Sequence, residues 1–255
     1  MFLAGFAILV SLGCNGPLTP QAKELLQSGY DLYAAGDDKS TIQNMDKFLL
    51  DNPNSSRSDE AYYLRGLART RTINLPEARD DLTAAISETN NPELRAKAMV
   101  ALGDMAYDSN DMALAEKMYR QSLEDALDGD KKTAHAHFRL GCVLQRLGRW
   151  KEADVQLDRT VYLLSNSELG KLASERTHSL AWTIQAGAFE KKNSADQTAN
   201  RLKGKGLQAV SKPILYDDRL IFVVHVGRFS TYDQALAELD NTKAQAPDAL
   251  ILPTR

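Results

Sequence analysis

Cysteine is nearly missing from this chain of 255 residues, which carries only Cys14 and Cys142. Two thiols so far apart make neither a disulfide framework nor a zinc site, which would need about four ligands. The four histidines, His135, His137, His178 and His225, stand in no evident serine or carboxylate constellation. His135 and His137 are two apart on an expected helix and so face apart. Gly-x-Ser-x-Gly, His-Glu-x-x-His and a phosphate-cradling glycine loop are all lacking. The sequence therefore gives no foothold for catalysis, a metal or a cofactor. An excess of charge is lacking too: 31 basic against 34 acidic residues leave a net charge of −3. Nucleic-acid proteins usually show a strong basic patch or a high domain pI, so none is expected as a partner. What remains is ordinary globular material, 43 % hydrophobic and 25 % charged, with a length that suggests two domains.

Long apolar runs are also scarce, with one short exception. Phe2 to Gly13 is apolar and small throughout and carries no charge. It falls short of the roughly 20 residues that span a bilayer and suits the apolar core of a signal peptide. Residues 1–14 are read as that peptide, and residues 15–21, which include Asn15-Gly16-Pro17, as a tether. Gly13-Cys14 resembles a bacterial lipobox, where cleavage precedes a cysteine that then carries lipid. Ser11-Leu12-Gly13 departs from its usual order, and no lysine or arginine precedes the run. The resemblance implies export to the cell envelope or periplasm with a lipid anchor on a membrane. The alternative is plain secretion with Cys14 incidental.

From residue 22 to 167 the chain repeats itself. Gly29, Gly66, Gly103 and Gly141 lie 37, 37 and 38 residues apart. Each falls in an expected helix rich in alanine and aromatics, followed by a turn and a second helix. Small residues recur twelve positions on, as in Gly66 with Ala78 and Gly141 with Ala153, which predicts close approach of each helix pair. Pro76 suits a first helical turn, while Pro53 and Pro92 are expected just after helices. The pattern resembles the tetratricopeptide (TPR) repeat in four units, 22–55, 59–92, 96–129 and 134–167. The last is the fullest match, with Leu140-Gly141, Leu144, Gly148, Trp150, Ala153 and Leu157. Residues 168–178, with Leu169, Leu172 and Ala173 on one face, are expected to cap and link. Such an all-α TPR solenoid holds a peptide or protein in its groove, or serves as a spacer. Tyr62, Arg65, Arg69 and His137 are the candidate groove residues.

The C-terminal segment, residues 179–255, is doubled. Trp182-Thr183-Ile184-Gln185-Ala186-Gly187-Ala188-Phe189 is echoed by Val223-Val224-His225-Val226-Gly227-Arg228-Phe229, each a strand ending in Gly-x-Phe and each followed by an amphipathic helix. Further strands over 207–214 and 249–252 complete βαββαβ, a small α+β ferredoxin-like domain with both helices on one sheet face. Alternation sets Trp182, Ile184, Ala186, Phe222, Val224 and Val226 toward the helices, and Thr183, Gln185, Gly187, Val223, His225 and Gly227 on the open face. Both phenylalanines are expected in the core.

These residues, with the helix Ala195 to Leu202 ending in Lys205-Gly206, resemble a SPOR domain across 179–255. The resemblance implies recognition of peptidoglycan, especially glycan strands stripped of stem peptides, as found at division septa. It places the glycan-binding set on Thr183, Gln185, Gly187, Ala188, His225, Gly227 and Arg228. Arg228 replaces the family's proline, and Val223 an arginine common in the third strand. A peptide-free glycan offers hydroxyls, acetamides and pyranose faces, which suit the amide of Gln185 and the imidazole of His225. Gln185 is otherwise an ordinary solvated strand residue. RNA recognition shares the βαββαβ order but needs exposed aromatics, which the open-face positions lack. The function expected is a non-enzymatic envelope adaptor, with an envelope protein or peptide in the repeats. The alternative is a repeat scaffold whose last domain contacts only protein. Labelled palmitate is expected to enter the chain and to be lost in Cys14→Ala; label that persists in the variant removes the anchor.

Overall fold

The computed structural model describes residues 18–124, 130–216 and 219–254. The apolar N-terminal run and Cys14 lie outside the described residues. The chain divides into two compact units at Met105/Ala106.

Among the described residues eight helices follow the sequence period, two to each repeat along the chain: α1 (Pro20–Ala34) and α2 (Asp38–Asp51), α3 (Ser58–Arg71) and α4 (Leu75–Glu88), α5 (Pro92–Asp108) and α6 (Met112–Ser122), and α7 (Ala134–Arg146) and α8 (Trp150–Leu164). Pro92 opens α5 rather than following α4, and its missing N–H costs nothing in a first turn. Between the two helices of each pair one residue takes a positive φ: Gly36 at 80°, Ile73 at 61°, Asn110 at 62° and Gly148 at 74°. These positions keep the period of the glycines. Each is followed by an N–H that reaches back to the carbonyl five residues earlier, Asp37 to Leu32, Asn74 to Arg69, Asp111 to Ala106 and Arg149 to Leu144. The same left-handed C-cap thus ends every first helix and reverses the chain.

At Gly141 the two backbones approach as expected, an added Cβ lying 3.4 Å from the Ala153 carbonyl oxygen, but the nearest neighbour of Gly29, Gly66 and Gly141 is in each case a larger side chain. A Cβ on Gly66 would lie 3.0 Å from Leu82 Cγ, one on Gly141 would lie 2.8 Å from Leu157 Cγ, and one on Gly29 would strike Met45. The partner is sixteen residues on and large. Each glycine is a hole that admits one buried apolar side chain of the second helix, while Ala78 and Ala153 are buried in their own right.

Helix α9 (Glu168–Arg176) is capped by Ser167, whose Oγ accepts from the Gly170 N–H at 3.1 Å. It buries Gly170 and Ala173. Leu172, expected on that face, is 45 % exposed, because Gly170 rather than Leu172 completes the stripe.

The last domain runs β1 (Ala181–Phe189), α10 (Lys192–Lys203), β2 (Ala209–Tyr216), β3 (Arg219–Phe229), α11 (Tyr232–Lys243) and β4 (Leu250–Thr254). The sheet is antiparallel in the order β2-β3-β1-β4. Its core is Ile184, Val224, Val226 and Ala209 from the strands against Ala195, Ala199 and Leu202 of α10, with Ala246 and Ala249 beyond α11. Phe189, Phe222 and Phe229 pack against the same core. Both edge strands carry a proline, Pro213 and Pro253, which removes a ladder donor from each edge.

Within the second unit, the fourth helix pair, α9 and the sheet share one aromatic and polar seam. Trp182 is 2 % exposed, and its Nε1–H donates to the Gln145 carbonyl at 3.2 Å. Its ring lies 5.6 Å from Trp150 and 5.1 Å, edge-on, from Tyr232. The buried Gln145 side chain donates to the Arg176 carbonyl and accepts from Arg176 Nε. The Arg146 guanidinium lies 4.2 Å from the Tyr107 ring and 4.4 Å from that of Tyr232.

Ile73 is the anomaly of the turns. It is β-branched, left-handed and 80 % exposed, so nothing is gained from its side chain where Gly36 and Gly148 take the same conformation freely. A non-glycine residue in this region costs about 1–2 kcal/mol, of which part returns as the extra chain entropy of glycine when unfolded. Ile73→Gly is expected to stabilise the protein by about 1 kcal/mol, read as a higher urea midpoint. An unchanged or lower midpoint would contradict the strain.

Candidate functional site

The open face is shaped by two bulges on neighbouring strands. Between the pairs Trp182↔Phe229 and Ile184↔Val226, β3 holds one residue more than β1; between Gln185↔His225 and Gly187↔Val224, β1 holds one more than β3. Each bulge shifts the alternation of its strand. On β3 the bulge sets Gly227 and Arg228 together opposite Thr183, with Gly227 at φ 68° and its N–H on the Gln208 carbonyl at 2.9 Å. On β1 it turns both Ala186 and Gly187 to the helix side. Gly187 therefore does not join Gln185 on the open face: its partner Val224 is a core residue.

The doubled Gly-x-Phe has a packing cause. A Cβ on Gly187 would sit 2.9 Å from the Phe189 ring, and one on Gly227 would strike the ring of Phe229. In each half the phenylalanine lies back over the glycine two residues earlier, and its far side packs on the core. Glycine is needed there as the floor beneath a ring.

One row crosses the open face on all four strands, Val210↔His225↔Gln185↔Leu250, with Gln185 and His225 directly opposite each other. The next row is Lys212↔Val223↔Ala188. Ala188 is exposed, but Val223 is only 1 % exposed and offers a ligand nothing. Thr183 is buried as well, and its hydroxyl is already spent, donating to the Gly227 carbonyl at 2.9 Å across the bulge. It braces the site rather than offering a free hydroxyl.

At the end of this face, where the chain crosses from α10 into β2, lies an open cavity of about 400 Å³. Thr183, His225, Gly227 and Arg228 line it, together with Lys203, Gln208, Ala209, Val210, Lys212 and Thr254. Four of the seven expected residues thus converge. Gln185 stands beside the cavity in the His225 row, Ala188 one row away, and Gly187 on the opposite side. Lys203, Gln208 and Lys212 join the lining from outside the expected set. Alternation along β2 from Val210 would have turned Lys212 to this face, but Lys203 and Gln208 arrive through the α10–β2 connection and leave no periodic trace. Burial, and then the charge of Lys212, push the His225 imidazole below its ordinary value, so it is neutral at neutral pH.

The four groove candidates of the repeats are occupied structurally. Arg65 meets Asp81 through two nitrogens at 2.9 and 2.6 Å, and Arg69 meets it at 2.7 Å. Asp81 is 3 % exposed, so both cations serve a buried carboxylate. Tyr62 lies under the Arg65 guanidinium, and His137 Nδ1 is 2.8 Å from Gln156 Oε1. Periodicity places a residue on a helix but cannot show that its charge is already paired within the helix pairs.

Among the described residues no cluster of histidine, cysteine and carboxylates could hold a metal, and no helix is long and apolar enough to cross a membrane. The fold defines a class: helix-pair repeats followed by a small α+β domain with an open sheet face. The comparisons agree. A model of the SPOR domain family matches residues 181–253. Among solved structures, a tetratricopeptide repeat protein from Parabacteroides merdae aligns with a TM-score of 0.53 at 17 % identity, covering 61 % of this chain and 58 % of that one. PilF from Pseudomonas aeruginosa aligns at 0.52 and 16 %, covering 60 % of this chain and 65 % of its own. This chain spans less than two thirds of the length of either, and the likeness is one of fold. No curated protein matches the sequence significantly. The fold is therefore multidomain, all-α helix pairs with the fold of tetratricopeptide repeat structures followed by a small ferredoxin-like α+β domain over which the SPOR model matches.

The depressed His225 sets a pH dependence. The unfolded chain takes up a proton near the ordinary value of 6.5, while the folded site resists it, so stability falls as pH drops through 6.5 and below. His225→Gln is expected to flatten that fall in urea unfolding followed from pH 7.5 to 5. His137 is depressed by burial too and is present in both proteins, so the difference between the curves belongs to His225. Parallel curves would show that its burial carries no linkage.

Proposed function

We propose that the protein is a non-enzymatic envelope adaptor that docks on peptidoglycan through its SPOR domain and engages a protein or peptide through its TPR repeats. The carrying observation is the coincidence of the SPOR match with a face on which Gln185 and His225 stand opposite each other beside an open cavity. The favoured ligand is the peptide-stripped glycan strand, as at division septa: the face presents an amide, a neutral imidazole and the apolar surfaces of Val210 and Leu250, which suit acetamides, hydroxyls and pyranose faces. Ala188, Gly227 and Arg228 border the path of the strand. Export with lipidation at Cys14 would hold the adaptor at a membrane beside the wall. Two binding modules and an absence of catalytic motifs support the non-enzymatic reading.

The far end of the β2–β3 hairpin favours a second reading, a scaffold whose last domain contacts only protein. Leu215, Tyr216 and Leu220 are each more than half exposed there.

The full chain is expected to sediment with isolated sacculi, and more strongly after an amidase has removed stem peptides. Gln185→Ala combined with His225→Ala should weaken retention about tenfold, as for two neutral hydrogen bonds of about 0.5–1.5 kcal/mol each. Retention unchanged in the double variant would mean that the ligand uses another surface. Failure to sediment with either form would select the scaffold.

A further inference from the structure

The cavity differs in charge from the rest of the open face. Among the described residues that line it, three are cations, Lys203, Lys212 and Arg228, and none is a carboxylate. Lys203 and Lys212 form no ion pair with a carboxylate among the described residues. Asp196, the acid that senses Lys203, is already paired with Lys192 at 2.7 Å. The exposed amide of Gln208 adds a neutral donor at the rim, and Val210 an apolar wall. Thr183 contributes shape only, since its hydroxyl serves the Gly227 carbonyl. The chain thus brings two lysines and an arginine from three separate elements, the end of α10, the middle of β2 and the β3 bulge, to one concavity.

We propose that this cavity is a carboxylate subsite, which holds the lactyl carboxylate of a peptide-free muramic acid unit in the glycan strand. The proposal rests on the glycan reading above and names what selects the stripped strand. Where a stem peptide is attached, the lactyl group ends in a neutral amide. Removal of the peptide by hydrolysis of that amide leaves a carboxylate, so every second sugar of a stripped strand gains one negative charge. Acetamides and hydroxyls are the same in both strands and cannot tell them apart. A concavity with several cations and no acid can, because a charge-assisted contact is about twice as strong as a neutral one and requires the anion. The strand then runs from the cavity along the Val210, His225, Gln185 and Leu250 row, where recognition is by neutral groups. Placing the anion at one end of the row sets the register of the alternating sugars on the face.

The test measures binding of the full chain to three soluble probes: amidase-stripped glycan strands, the same strands with their carboxylates converted to N-methylamides, and N-acetylglucosamine oligomers, which have no lactyl group. Stripped strands should bind at least about tenfold more tightly than the methylamide form, with an advantage that shrinks as salt is raised. In Lys203→Gln combined with Lys212→Gln, affinity for stripped strands should fall to the methylamide level while affinity for the methylamide form stays unchanged. Both lysines are exposed, so the variant is expected to fold, and an unchanged near-ultraviolet spectrum of Trp182 verifies it. Equal binding of acid and methylamide strands overturns the carboxylate subsite and leaves the glycan reading standing, as does an equal loss of both forms in the lysine variant. Binding to none of the three probes overturns both.

Discussion

The burial of Trp182 is the constraint on which the binding face depends. Its indole is held edge-on by Tyr232, tilted against Trp150 and hydrogen-bonded to the Gln145 carbonyl. These contacts fix the side to which β1 turns at that position, and a strand has only two sides. With Trp182 and Ile184 directed inward, Thr183 must point to the cavity and Gln185 to the open row. A strand slipped by one residue would bury Gln185 and expose Ile184. Since β1 lies between β3 and β4, its phase is passed to both neighbours through the register. The anchor of this central strand is supplied partly by the fourth helix pair, so the last repeat and the binding domain stabilise one another.

The helix pairs solve a different problem by repetition. A left-handed residue recurs in all four turns, and seven residues before three of them Gly29, Gly66 and Gly141 each receive a large side chain. The turn tolerates substitution better than the hole does. Asn110 and even Ile73 occupy the left-handed position at a cost of about 1–2 kcal/mol for a residue with a Cβ. A Cβ at Gly141 would instead lie 2.8 Å from Leu157 Cγ in a packed interior, and overpacking forces neighbouring side chains and backbone to move. The glycines are therefore a more regular sequence marker than the turns.

That difference explains what could be read from the chain. The period of 37 or 38 residues, the βαββαβ order and the opposition of Gln185 to His225 all follow from local alternation or direct repetition, and the sequence displays them. The side of Gly187 does not follow, because it depends on a bulge set by pairing with β3. The engagement of the Thr183 hydroxyl does not follow either, because its acceptor, the Gly227 carbonyl, faces it only through the other bulge. Arg65 and Arg69 fit a solvated helix face equally well until Asp81, twelve to sixteen residues away, is seen to be buried between them. In each case the missing information is a contact across elements.

The net charge of −3 bears on the site in the same way. A sum over 255 residues says nothing about where charges lie, and the acids that balance the total are spent elsewhere. Asp81 faces Arg65 and Arg69, Glu116 and Glu152 face Arg149, and Asp196 faces Lys192. Each pair neutralises itself within a few ångströms and contributes little field at a distance beyond the screening length of about 8–10 Å. Lys203 and Lys212 line a concavity with no acid among its described walls, so they make the local field positive although the chain as a whole is slightly acidic. His225 registers that field through Lys212. A weakly charged protein can in this way discriminate an anionic from a neutral form of one polysaccharide at a single point, while the rest of its surface gives no bulk attraction to a polyanion.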